Sequence, residues 1–364
     1  MAEKFLVATR KGLLTFARRK GAKRYRLART DFPGDPVTMV LTDRRDGALY
    51  AALNLGHFGP KLWRSRDNGK SWQEIAMPAF PPAKKGETGP SVFQIWSLET
   101  GGDDRPHTLW AGTIPGGLFL SRDGGDSWQL VESLWNRPER AEWGGGGYDQ
   151  PGIHSICVDP RDARHVLIAV SSGGVWMTRD AGETWMPRAR GMRAAYMPPD
   201  RAYEENVQDP HRMAMCSTAP EHLWVQHHNG IFHSTNGAES WREIENVTPS
   251  SFGFAVVVHP ADPGTAWFVP GVKDERRVPV DGRLCVTRTR DGGQSFEILG
   301  KGLPERDCFD LVYRHGLDVD ATGSRLVMGS TTGNLWCSDN GGEAWTALSH
   351  HLPPIYAVRF SGRD

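Results

Sequence analysis

The sequence predicts an all-β chain folded as a seven-bladed β-propeller with four antiparallel strands per blade. Three observations lead there. An octapeptide recurs six times: SRDNGKSW from Ser65, SRDGGDSW from Ser121, TRDAGETW from Thr178, STNGAESW from Ser234, TRDGGQSF from Thr289 and SDNGGEAW from Ser338. The closing aromatics Trp72, Trp128, Trp185, Trp241, Phe296 and Trp345 are 56, 57, 56, 55 and 49 residues apart, and a near-constant period of this size marks a repeat architecture. Each period also holds four short alternating apolar segments separated by Gly, Pro, Asn and Asp, which is one propeller blade.

The third repeat shows the pattern most plainly. Its strands are expected at 153–157, 166–170 and 174–178, with a short outer segment after Trp185. The full blades are expected at about 36–78, 91–132, 152–190, 211–247, 252–300 and 308–350. Six octapeptides leave one blade to be found, because an open ring would expose a strand edge at each end. Residues 354–360 align with the first strand of the other blades, and segments within 4–30 align with the second and third. A composite seventh blade closing the ring is therefore predicted, all within one domain, 1–364. No segment carries a helical period of 3.6 residues.

Within the octapeptide the Ser or Thr hydroxyl and the Asp carboxylate can accept turn amides, the Gly suits a positive φ, and the aromatic ring can pack between sheets. These residues read as turn chemistry. The motif resembles the Asp-box, or BNR repeat, of sialidases, xyloglucanases, sortilin-type receptors and many bacterial proteins filed as glycosyl hydrolases. That resemblance implies that the boxes join third and fourth strands and so crowd one face of the ring. It implies a glycoside hydrolase-like activity at the other. The chain departs from the sialidases, which carry an early Arg-Ile-Pro motif on six blades; here Ala8-Thr9-Arg10 stands near the start of a seven-bladed ring.

Composition narrows the partners. Lys and Arg total 43 and Asp and Glu total 43 in 364 residues, which removes the electrostatic case for nucleic acid or an anionic membrane. No apolar run approaches a membrane span and the N-terminus lacks a secretory pattern, so a cytoplasmic protein is expected. The five cysteines include no CxxC pair and read as reduced, mostly buried thiols.

Long connections locate the chemistry, since loops beyond about 12 to 15 residues are uncommon unless functional or disordered. Three are expected opposite the octapeptides: 77–90, 134–151 with Glu142, a Gly144–Gly147 run and Asp149, and 188–210 with Tyr196, Tyr203, Glu204 and Asp209. An insertion at 272–279 replaces a short turn and carries Glu275, Arg276 and Arg277. Aligning the turn between second and third strands gives one column: Arg10, His57, Thr113, Ser171 or Ser172, His227 or His228, the insertion, and Thr331 or Thr332. Counting five residues back from Asp43, Glu99, Asp159, Thr218, His259, His315 and Ser361 gives a second: Thr38, Gln94, His154, Met213, Phe254, Asp310 and Tyr356. Buried without partners, the polar members would cost roughly 2 to 7 kcal/mol each, so a wet channel or a binding site is expected at this level. His259 and the segment Tyr313-Arg314-His315 are read as turn residues and set aside.

Three functions fit such a mouth. A glycoside hydrolase needs two carboxylates about 5 to 9.5 Å apart. Its candidates are Glu275, Asp310, Asp149 and Glu142, with His154 as a further catalytic group. Arg10, His57, Gln94, His227, His228, Arg276 and Tyr356 would bind a small polar or anionic substrate, a carbohydrate among them. A metal-dependent hydrolase or lyase would use a divalent metal on His57, His154, His227 and His228, with His211 in reserve. A non-catalytic ligand receptor or scaffold is the third, because fold does not fix function.

Overall fold

A computed structural model describes the chain except for residues 1, 2, 20, 23, 84, 85, 87 and 362–364, which fall partly within the expected closing blade and the 77–90 loop. The described residues form seven four-stranded antiparallel sheets. The first blade runs Val37–Thr42, Leu49–Asn54, Pro60–Ser65 and Gln73–Ile75 from axis to rim, and the next five repeat that order. Ile355–Phe360 pairs with Glu3–Thr9 in the seventh, with Phe5 opposite Phe360 and Val7 opposite Val358. The N-terminal and C-terminal strands therefore meet inside one sheet, and that composite blade closes the ring. Among the described residues one α-helical turn, Glu132–Trp135, and four short 3-10 turns interrupt the strands; each is too short to produce a readable period.

Apolar residues of neighbouring sheets interlock to form the core. One cluster joins Val40, Ala51 and Leu62 of the first blade to Ile95, Leu109 and Phe119 of the second. The octapeptides fasten these interfaces from one face. In the first, Ser65 Oγ accepts the Gly69 amide at 2.7 Å and donates to Asp67 Oδ1 at 2.8 Å, while Asp67 accepts the amide and hydroxyl of Ser71 at 2.9 and 2.6 Å. Asp123, Asp180 and Asp291 repeat this network. Asn236 and Asn340 reproduce its Oδ1 contacts without a charge. Buried donors of the preceding blade then reach the turn: Tyr50 Oη and Arg64 donate to Gly124 O, and Trp267 Nε1 and Arg288 to Gly341 O.

Candidate functional site

The first strands decide what faces the axis. In the first to fourth blades the inner strand carries one extra residue relative to the second, a β-bulge, which bends the strand and re-aims a side chain. Register slips between Val37 and Met39, Ile95 and Ser97, Ile153 and Ser155, and Pro210 and Arg212. The bulged residues are thus Thr38, Trp96, His154 and His211. The fifth blade slips between Gly253 and Val256, at Phe254, and the closing strand slips at Tyr356.

These side chains meet across blades. Trp96 stands edge-on to His154 with centroids 5.4 Å apart, and His211 stacks on Phe254 at 4.4 Å. From the sixth blade, His315 Nε2 donates to His154 O at 2.8 Å, whereas the Arg314 guanidinium lies 4.7 Å from the Trp96 ring and 5.5 Å from that of Phe254. A blade-six side chain touching blades two and five must cross the channel. Deeper along it, Arg359 pairs with Glu99, and Arg212 donates to His154 O at 3.1 Å.

This register corrects the sequence-based column in three blades. Hairpins between first and second strands close through the amides of Asp43, Gly101, Asp159, Cys216, His259 and Asp320. Five residues back from these lie Thr38, Trp96, His154, His211, Phe254 and His315. Counting from Glu99, Thr218 and His315 led instead to Gln94, Met213 and Asp310. The second and fourth hairpins lack the Asp that marks the start of the first, third and sixth, and the sixth blade's inner strand is cut to Leu317–Val319.

A cavity of about 790 Å³ opens at this end of the axis. Aromatic faces supply much of its wall: Phe58, Phe93, Trp96, Tyr148, Tyr313 and Tyr356. Between them stand Asp35, Thr38, Asn54 and Gln94, with Arg277 and Arg314 as the cations. No octapeptide residue lines it. Gln94 donates to Tyr148 Oη at 3.3 Å. The glycine run before Tyr148 permits a close approach: a Cβ on Gly146 would lie 2.8 Å from Ser172 Oγ and 3.1 Å from Asp209 Oδ1.

Arg314 is 6% exposed, and among the described residues it makes no salt bridge and leaves Nε without a partner. Burial lowers its pKa to about 10, so it stays charged at neutral pH, drawn toward Asp209 from beyond contact distance. Buried cations are ordinarily paired.

Beside Arg314 lies the one convergence of metal-capable groups among the described residues, Asp209, His211 and His228, with donor atoms all within 4.8 Å. Asp209 Oδ2 is 3.5 Å from His211 Nε2 and 3.4 Å from His228 Nδ1. Asp209 Oδ1 accepts the Ser172 amide at 3.1 Å, and His211 Nδ1 donates to Gly253 O at 2.7 Å. Hydrogen bonding to Asp209 raises the pKa of His228.

The other expected residues scatter. His57 is exposed on a short 3-10 turn against Phe58. Both ring nitrogens of His227 face backbone amides, of Asp209 at 3.0 Å and Asn229 at 3.1 Å, and burial lowers its pKa to about 3. His154 is fully buried, Nδ1 on Ser155 Oγ and Nε2 without a partner. The four imidazoles therefore do not form the expected metal set; only His228 keeps a place in one. Glu275 is 74% exposed at a loop tip beside Lys273. Asp310 is consumed by Ser330, Thr332, Asn334 and Cys308. Asp149 is exposed and outside the cavity wall, Glu142 pairs with Arg201, and Arg10 and Arg276 are exposed and also outside the wall. Gln94 and Tyr356 do line it.

Fold and site together define a seven-bladed propeller with an aromatic, arginine-bearing axial mouth. No protein-family model matches the chain. A stretch of 78 residues is 36% identical to the oligoxyloglucan-reducing end-specific xyloglucanase of Emericella nidulans, covering 21% of this chain and 8% of that protein. An ancestral GH74 enzyme superposes with a TM-score of 0.59 at 16% identity, over 85% of this chain and 38% of its own. YCF48 bound to D1 peptide gives 0.52 at 14% identity, over 86% and 82%. A putative 6-phosphogluconolactonase from Bacteroides uniformis gives 0.58 at 12% identity, over 99% of both chains. The chain thus spans a small part of the xyloglucanase and well under half of the GH74 enzyme, and likenesses at these identities concern the fold.

Proposed function

We propose that the axial mouth binds a small anionic carbohydrate, a sugar acid or sugar phosphate, and that the protein acts on it in the manner of a glycoside hydrolase-like enzyme. Arg314 carries the reading. A buried, charged guanidinium without an ion pair, at the wall of an open cavity, is completed by a carboxylate or phosphate, which it can hold through two parallel hydrogen bonds. The aromatic faces suit the apolar side of a sugar ring, and Asn54, Gln94 and Thr38 suit its hydroxyls. The xyloglucanase segment and the GH74 likeness favour a carbohydrate within the broader class of anions.

Asp35 is the one carboxylate among the residues of the cavity wall. The wall therefore supports recognition of the anion more strongly than a two-carboxylate hydrolysis. Isothermal titration of uronic acids, aldonic acids and sugar phosphates, each against its neutral parent sugar, tests the reading. The charged ligand is expected to bind more tightly, and Arg314→Gln to weaken it by about 10- to 100-fold, the equivalent of one lost charged hydrogen-bonding group. Equal binding of the neutral sugar, or an Arg314→Gln protein that binds as the parent does, contradicts it.

A further inference from the structure

We infer that Asp209, His211 and His228 form a binding site for a divalent transition metal of the zinc or iron(II) type, beside the axial mouth. The donor spacing fits such an ion. Two donors each about 2.0 to 2.1 Å from zinc at the tetrahedral angle stand about 3.4 Å apart. Asp209 Oδ2 is 3.5 Å from His211 Nε2 and 3.4 Å from His228 Nδ1.

The proton on His211 points the same way. Gly253 O can only accept, so the 2.7 Å contact places a proton on Nδ1, and in the neutral ring Nε2 then holds the lone pair. That lone pair faces a carboxylate. Two electron-rich atoms at 3.5 Å favour a cation between them. A proton would serve only by charging an imidazole whose side chain is 3% exposed, whereas a metal satisfies both donors at once. An imidazole bound to metal commonly donates its other N–H to a backbone carbonyl, the arrangement His211 has.

Backbone hydrogen bonds hold the donors in place. Asp209 and His228 are tied through their backbones, the His228 amide donating to Asp209 O at 2.9 Å and the Asp209 amide meeting His227 Nε2 at 3.0 Å. His211 sits on the bulge that turns it to the axis. His228 alone is partly open, at 23% exposure, so three protein donors leave a side through which water or a ligand can complete the coordination.

The site stands independently of the carbohydrate reading, and its test uses metal binding alone. Protein stripped with a chelator is titrated with Co²⁺, followed by visible d–d absorption, then with Zn²⁺ and, without oxygen, Fe²⁺; circular dichroism checks the fold throughout. One metal per chain is expected. Asp209→Asn, His211→Ala and the partly exposed His228→Ala are each expected to weaken binding by more than about 100-fold, since loss of outer partners alone costs about 10- to 100-fold. His57→Ala is expected to bind as the parent does. Absence of stoichiometric binding for all three metals, or unchanged binding in a folded His228→Ala protein, overturns the site.

Discussion

The two ends of the propeller use polar residues in opposite ways. On the octapeptide face each Asp is surrounded by donors from its own turn, and burial of Asp123, which pushes its carboxyl up, is outweighed by hydrogen bonds from Ser127 and Ser121 that bring its pKa to about 2. At the axial mouth Arg314 has no ion pair among the described residues, His154 Nε2 is buried without a partner, and His211 Nε2 faces the Asp209 carboxylate at 3.5 Å. Satisfied groups fix structure; buried groups left without partners keep interaction energy for something outside the chain. The repeated motif is thus the less informative part for function.

Acid should separate the two ends most strongly. Burial holds the imidazoles of His154 and His315 well below their usual range. Their folded pKa values lie under the unfolded ones, so the unfolded chain binds more protons below about pH 6.5 and stability falls as pH drops through that window. Each can cost up to about 1.4 kcal/mol per pH unit. His228, raised by Asp209, runs the other way and offsets part of the loss. Hydrogen exchange between pH 7 and 5, corrected for intrinsic rates, is expected to show residues 153–155 and 313–316 losing protection first. Octapeptide amides opening first would reverse the comparison.

Asp310 sharpens it, because it lies at the mouth end yet is held by as many donors as an octapeptide Asp. Burial raises its pKa, but hydrogen bonds from Ser330, Thr332 and Asn334 outweigh this and keep it charged. Asp310→Ala strands those donors and is expected to lower stability by about 3 kcal/mol in denaturant unfolding. An effect below about 0.5 kcal/mol would show that the network is dispensable. Asp123→Ala, with one exposed turn to lose, is expected to cost about 0.5 to 2 kcal/mol. A smaller loss of melting temperature than in an exposed surface control would remove the structural role of the motif.

Much of the fold was legible because the octapeptide is local chemistry, repeated at nearly constant spacing. Ser65, Asp67 and Gly69 satisfy one another within five residues. The composite blade was legible from the alternation in residues 355–360 and the need to close the ring. The site was less so. Trp96 and His211 reach the axis through bulges, and a bulge shifts the level of every later residue without changing the alternation that sequence displays. Arg314 and His315 were set aside with His259 as turn residues at the far end of the inner strand, whereas the sixth blade's inner strand begins only at Leu317 and leaves both on the cavity wall. His227 and His228 are adjacent and chemically identical in sequence; only the turn at Asn229 sends one ring toward backbone amides and the other toward Asp209.

The central claim is that function sits at the axial mouth while the octapeptides serve stability alone. A double comparison of Arg314→Gln and Asp123→Ala tests it most directly, each measured for melting temperature and for affinity toward the tightest anionic sugar found by titration. Arg314→Gln is expected to lose about 10- to 100-fold in affinity with melting little changed, since it removes a buried charge that lacks an ion pair. Asp123→Ala is expected to melt earlier and bind normally. Affinity and stability falling together in both variants, or affinity falling in Asp123→Ala alone, would contradict the division.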